Sequence, residues 1–148
     1  MKIKDILAKK APHVFTIRPD LSCKETIQIL VENNVGALFV TDDNDMLVGI
    51  VTERDILKTC STCTSGCETV MRLPVSEIMS RNLIIGVQDD DIDQAMGVMS
   101  QNGIRHLPIM DGEKICGMIS IRDLVDARLE ETTYEVRYLK DYISGSLT

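Results

Sequence analysis

The phrase GIVTERDIL, residues 49–57, recurs as GMISIRDLV, residues 117–125. No other feature constrains the fold as tightly. A repeat that only built a core would match its apolar positions and let the polar ones drift, yet Thr52 and Asp55 return as Ser120 and Asp123. Further matches follow in the same chain order. Val35-Gly36-Ala37-Leu38-Phe39-Val40 aligns with Ile104-Arg105-His106-Leu107-Pro108-Ile109, and Ile3-Lys4-Asp5-Ile6-Leu7 resembles Val75-Ser76-Glu77-Ile78-Met79. An ordered series with small loop differences indicates two copies of one unit.

Both copies read alike. Ser22 with Glu25, and Asp91 with Gln94, have the spacing of helix N-caps with a side chain reaching back from the third position. The helices that follow place Ile27, Leu30 and Val31 on one face in the first copy, and Ala95, Met96 and Met99 in the second. Residues 36–40 and 47–51 are β-rich and flank the turn-forming stretch Thr41-Asp42-Asp43-Asn44-Asp45. Residues 107–110 and 115–119 flank Asp111-Gly112-Glu113. A second helix begins near Glu53 and near Ile121, and a short extra strand is expected at 14–17 or 83–87. The expected fold class is α/β: two pseudo-twofold-related repeats, each a small sheet packed with helices. The expected boundaries are 1–60 for the first repeat, 61–73 for a cysteine-containing connector, 74–129 for the second repeat and 130–148 for a C-terminal helix and tail.

Composition removes several functions. Sixteen Lys and Arg against twenty-three Asp and Glu give a net charge of −7, which opposes nonspecific binding to nucleic acid. Trp is absent, with two Phe and three Tyr, so no basic stripe with stacking aromatics is available. The apolar runs are too short for a membrane span, and MKIKDILAKK carries no secretory signal, so the expected location is the cytoplasm. The two histidines, His13 and His106, join no spaced catalytic set, and GxGxxG, P-loop and metallohydrolase patterns are missing. The chain is not expected to be an enzyme or to need a cofactor.

The repeated phrase has two chemical readings. Thr52 and Ser120 end a strand, and Asp55 and Asp123 fall in the first turn of the next helix, so the spacing describes an N-cap. The same corner lies where α/β crevices form, and an aspartate there can accept both vicinal hydroxyls of a ribose. Arg105 offers a permanent positive fork suited to phosphate, and His106 adds a donor whose charge depends on its surroundings. Gly36 and Ala37, at the matching positions, offer backbone donors and space.

GALFVTDDNDMLVGIVTERDIL and GIRHLPIMDGEKICGMISIRDLV resemble the two halves of a tandem cystathionine beta-synthase (CBS) domain pair, or Bateman module. The resemblance covers Ile3 to Arg128. It implies a regulatory module that binds adenosine nucleotides, with AMP, ADP, ATP, NAD-like compounds and S-adenosylmethionine as candidates. It also implies a homodimer and a regulated partner protein. Ribose contacts would fall to Thr52 and Asp55 in the first copy and to Ser120 and Asp123 in the second. Phosphate contacts would fall to Arg105 and His106, with Gly36 and Ala37 departing from that basic pattern. Thr16 and Ile17, with Ile85 and Gly86, match the segment whose backbone meets the base, while Ile104, Pro108 and Met118 could form an apolar wall. Arg122, like Arg54, could reach a phosphate or an opposing carboxylate, or pair at the solvated surface.

Two features stand outside that scheme. Cys60, Cys63 and Cys67 supply three closely spaced thiols without a persuasive fourth ligand for a closed zinc site, and read first as a reduced loop or helix extension, with metal or iron-sulfur ligation and a redox switch as the alternatives, whereas Cys23 and Cys116 read as small buried hydrophobes. Leu129, Thr133, Val136, Lys140 and Ile143, with Leu139 beside them, run at helical spacing and suggest an amphipathic helix packed on a dimer partner or its own domain.

Overall fold

The computed structural model describes residues 1–10 and 14–145, and His13 lies outside the described residues. The elements run α1 (Ile3–Lys9), β1 (Thr16–Ile17), α2 (Cys23–Asn33), β2 (Ala37–Thr41), β3 (Leu47–Thr52), α3 (Glu53–Thr62), α4 (Cys67–Arg72), a 3-10 turn (Val75–Glu77), α5 (Ile92–Asn102), β4 (His106–Asp111), β5 (Lys114–Ser120) and α6 (Ile121–Ile143). The α/β class and the two small sheets packed with helices are as expected.

The long helices of the two repeats start and stop by the same rules. The Ser22 hydroxyl accepts from the Glu25 amide at 3.1 Å, and the Gln94 side chain accepts from the Asp91 amide at 3.1 Å. Asn34 and Gly103 end α2 and α5 in the left-handed conformation, with φ of 51° and 62°. Val35 and Ile104 then donate back to Leu30 and Met99 across each helix end, at 3.1 and 3.0 Å.

One stripe assignment fails. Val31 is 73% exposed, whereas Cys23, Thr26 and Leu30 are buried. The buried line of α2 follows positions three and four apart, and Val31, about 100° round from Leu30, turns out of it.

The described chain divides into two compact units. The first comprises residues 1–10, 86–109 and 117–145, and the second residues 14–85 and 110–116. In the second unit β1 runs parallel to β2, pairing Thr16 with Phe39, and β2 runs antiparallel to β3, pairing Ala37 with Thr52. Leu38, Val40 and Val51 are fully buried in its core, with Leu30, Ile56, Val75 and Met79 around them. In the first unit Ile3, Ile92, Met99, Leu107, Ile109, Ile119 and Leu124 are buried. The expected leading strand at 83–87 is reduced there to one parallel bridge between Gly86 and Ile109, with the Gly86 amide 2.8 Å from the Pro108 carbonyl.

Each unit takes its leading segment from the other repeat. Ile3 and Lys4 donate backbone hydrogen bonds to Asp90 and Gln88, both at 2.9 Å, while Val75 and Ser76 donate to Leu21 and Pro19 at 2.7 and 3.0 Å. Further along these segments a leucine and a methionine each reach a glycine. A Cβ on Gly117 would lie 2.8 Å from Leu7 Cδ2, and a Cβ on Gly49 would lie 2.6 Å from Met79 Sδ and 3.1 Å from the Ser80 carbonyl. The leading glycine of the repeated phrase is therefore set by close approach of the neighbouring segment.

The connector extends the helical structure. α3 runs on to Thr62, Cys63 caps it, and α4 begins at Cys67. α6 continues without a break through the boundary expected at 129/130.

Candidate functional site

The two repeated corners share one backbone frame. In the second unit the Thr52 hydroxyl accepts from the Asp55 amide at 3.1 Å, and Asp55 Oδ2 accepts from the Thr52 amide at 2.9 Å. In the first unit the Ser120 hydroxyl accepts from the Asp123 amide at 3.1 Å, and Asp123 Oδ2 accepts from the Ser120 amide at 2.8 Å. The first helical amide is satisfied from the neighbouring strand start in both. Glu53 donates to the Gly36 carbonyl at 3.0 Å, and Ile121 donates to the Arg105 carbonyl at 2.8 Å. The N-cap reading of Thr/Ser-x-x-Asp therefore holds in each copy. One carboxylate oxygen, Oδ1, takes no hydrogen bond among the described residues in either corner.

These bonds assemble the sequence-derived residues into two groups. Gly36, Ala37, Thr52 and Asp55 meet at the β2–β3–α3 corner, with Thr16 and Ile17 on the adjoining parallel strand. Arg105, His106, Ser120 and Asp123 meet at the β4–β5–α6 corner, with Gly86 held to Pro108 beside it. Ile85 groups with the second unit and is 49% exposed. Arg105 is exposed at the start of β4, His106 is half-buried, and Pro108 is buried inside the strand. Ile104 and Met118 are half-buried. Arg54 and Arg122 both face solvent, and Arg122 Nε lies 4.0 Å from Asp126 one turn along α6.

The corners part company at Lys10. Its ammonium donates to Asp123 Oδ2 at 2.8 Å and to the Met118 carbonyl at 2.9 Å. Burial alone would raise the Asp123 carboxyl, but the Lys10 ammonium and the Ser120 amide and hydroxyl outweigh it and hold the group below the ordinary carboxylate value. Among the described residues Asp55 has no matching lysine. Lys10 and Asp123 also line a cleft of about 170 Å³ with Ile6, Lys9, Asp126 and Glu130. Pockets that enclose a drug-sized ligand span roughly 300–1,000 Å³, so this cleft is smaller than such a pocket. Sequence reasoning did not find Lys10. It lies 113 residues from Asp123, at the C-cap of α1.

Among the described residues no group of three or more His, Cys, Asp and Glu side chains is placed to hold a metal ion. Cys60, Cys63 and Cys67 are free thiols, and a hydrogen bond with Cys67, aided by burial, raises the Cys60 thiol. Cys23 is buried as expected, whereas Cys116 is only half-buried.

Comparison with known proteins settles the family. The CBS domain model matches residues 3–61 and again 75–130. The chain belongs to the CBS-domain family. A 17.7 kDa protein of Acidianus ambivalens is 32% identical over 146 residues, covering 98% of this chain and 84% of that one. A CBS-domain-containing protein from Agrobacterium tumefaciens superposes with a TM-score of 0.81 at 33% identity, over 86% of this chain and 92% of that chain. The CBS domain pair of protein MJ0100, crystallised with 5'-methylthioadenosine and S-adenosyl-L-methionine, superposes with a TM-score of 0.74 at 28% identity, over 90% of this chain and 98% of that one. The two CBS repeats found by the family model are the two copies that carry the Thr52 and Ser120 corners. No described helix of this CBS pair is long and apolar enough to cross a membrane.

Proposed function

We propose that this CBS pair is a regulatory module that binds adenosine nucleotides or related adenosyl ligands. The observation that carries the reading is the β4–β5–α6 corner. There the Ile121–Arg105 backbone bond of 2.8 Å brings the strand start bearing Arg105 and His106 to the helix start bearing Asp123. A residue whose carboxylate can accept ribose hydroxyls thus shares a backbone corner with one whose guanidinium can take a phosphate. The adenosyl ligands of the MJ0100 domain pair support this ligand class. The Thr52–Asp55 corner, with Gly36 and Ala37 in place of the basic pair, is the weaker phosphate site. Thr16 and Ile17 in the first copy, and their counterparts Ile85 and Gly86 in the second, are the segments whose backbone would meet a base, with Pro108 as apolar wall in the second copy alone.

Binding changes the packing of the repeats or their contacts with a partner, and it does so only to the extent that the ligand prefers one arrangement over another. A homodimer is the first partner to test. Leu129, Leu139 and Ile143 of α6 are 59%, 56% and 83% exposed, an apolar row that a second copy would cover. Sedimentation velocity reads that association directly.

Calorimetric titration of nucleotide-free protein with adenosine, AMP, ADP, ATP, NAD and S-adenosylmethionine tests the function. Asp123→Ala should weaken every adenosyl ligand. Arg105→Ala should weaken the phosphorylated ones by about tenfold, the scale of one charge-assisted contact. Absence of binding across the panel would favour a CBS module that acts through protein contacts alone.

A further inference from the structure

We propose that Lys10 determines the specificity of the Ser120–Asp123 corner, selecting adenosyl ligands that carry a phosphate over uncharged ones. The proposal rests on the ribose reading of Asp123 and adds to it the part played by a residue from the leading segment.

Asp123 Oδ2 already accepts the Ser120 amide at 2.8 Å and the Lys10 ammonium at 2.8 Å. A ribose whose two hydroxyls bridge the carboxylate needs that oxygen as well as Oδ1, so it competes with Lys10 for its place. The balance then turns on where the displaced ammonium goes. It is a strongly hydrated point charge on a flexible stem and stays tethered at the cleft. The nearby carboxylates, Glu130 and Asp126, already face other cations at the surface. Glu130 is paired with Lys9 at 3.3 Å, and Asp126 faces Arg122 at 4.0 Å.

An uncharged adenosine therefore takes the carboxylate away from Lys10 and gives nothing back. A phosphate on the ribose supplies the missing anion, and the ammonium exchanges one negative partner for another. The flexible lysine stem lets the ammonium follow the phosphate, and Arg105 at the same corner adds to the positive field that receives it. The Thr52–Asp55 corner, with no matching lysine among the described residues, has no such exchange to make.

The test is calorimetric titration of wild type, Lys10→Gln, Lys10→Arg and Asp123→Asn with adenosine and with AMP. The expected result is that K10Q binds adenosine up to about fivefold more tightly and AMP about fivefold more weakly, the range of a partly exposed ion pair. The AMP-to-adenosine preference then collapses by roughly the product of the two, while K10R keeps it. D123N should weaken both probes. An AMP-to-adenosine ratio unchanged by K10Q, with both probes still weakened by D123N, overturns the role of Lys10 and leaves the ribose reading standing. Both probes unaffected by D123N, or bound by no variant, overturns the ribose reading and the role of Lys10 with it.

Discussion

The corner at Thr52–Asp55 and the corner at Ser120–Asp123 are the same piece of backbone with different side chains around it. Each has a reciprocal pair of amide bonds between hydroxyl residue and aspartate, and each is closed by a strand-start carbonyl, Gly36 in one and Arg105 in the other. What differs is charge: Gly36 and Ala37 against Arg105 and His106, and, among the described residues, no lysine against Lys10. The shared residues are those that cap a helix, and the differences fall on the charged residues around them. Capping is a local requirement of every helix start, so both copies must meet it, whereas each corner is free to differ in what it presents to solvent.

The same contrast runs through the glycines that begin the two phrases, and the largest expected effect lies there. Gly49→Ala puts a methyl against Met79 Sδ at 2.6 Å, its Cγ at 2.9 Å and the Ser80 carbonyl at 3.1 Å. The Ser80 backbone cannot swing aside, because Ser80 and Ile50 exchange hydrogen bonds at 3.0 and 2.8 Å. Gly117→Ala meets only the tip of Leu7 at 2.8 Å, and its other two neighbours are Leu7 atoms at 3.9 Å. Overpacking of this kind costs about 1–3 kcal/mol, with G49A expected near the top and G117A near the bottom. Urea denaturation of the two variants measures the difference. Equal losses would show that the leading segments are held with equal stiffness and would remove this asymmetry.

A smaller and equal effect is expected at the caps. Thr52→Ala and Ser120→Ala each remove one hydroxyl that accepts an amide at 3.1 Å, at a cost of about 1 kcal/mol. Similar losses in thermal or urea unfolding would support one shared frame. A gap of more than about 1 kcal/mol between them would mean that surroundings, rather than the cap, dominate one corner.

How much of this could be read from the sequence depends on the range of each interaction. The helix starts at Ser22 and Asp91, the left-handed ends at Asn34 and Gly103, and the corner pairs depend on residues within five positions of one another. The alignment of Ile3–Leu7 with Val75–Met79 also holds, since Leu7 and Met79 do the same job against Gly117 and Gly49. Legibility fails with distance and angle. Which repeat receives each leading segment is not written locally, because Ile3 and Val75 carry similar surroundings and both destinations would bury them. Lys10 escapes a sequence reading for the same reason. Val31 is misplaced by it because a stripe wide enough to hold Ile27 and Leu30 also admits, on paper, a residue about 100° further round. Unequal lengths of the leading strands, two residues at Thr16–Ile17 against a single bridge at Gly86, come from hydrogen bonding that composition does not reveal.

The smallest effect is also the most specific to one corner. Burial pushes the Asp123 carboxyl up, yet the donors from Lys10 and Ser120 bring it below its ordinary value, so the folded protein holds this proton less tightly than the unfolded chain does. A group lowered on folding contributes stability that is complete above its unfolded value and is lost as pH falls through the folded one. The loss therefore belongs below about pH 4. Its size is limited by solvent, since the Asp123 and Lys10 side chains are 23% and 39% exposed, and on the order of half a kcal/mol is expected. Lys10→Gln takes away the largest of the lowering contributions, so the Asp123 carboxyl should titrate at higher pH by NMR and the acid-side loss of stability should shrink. No corresponding substitution exists at Asp55, where the described residues offer no lysine to remove. An Asp123 titration that K10Q leaves unmoved would mean that the ammonium spends its time in water, and the two corners would then differ only in Arg105 and His106.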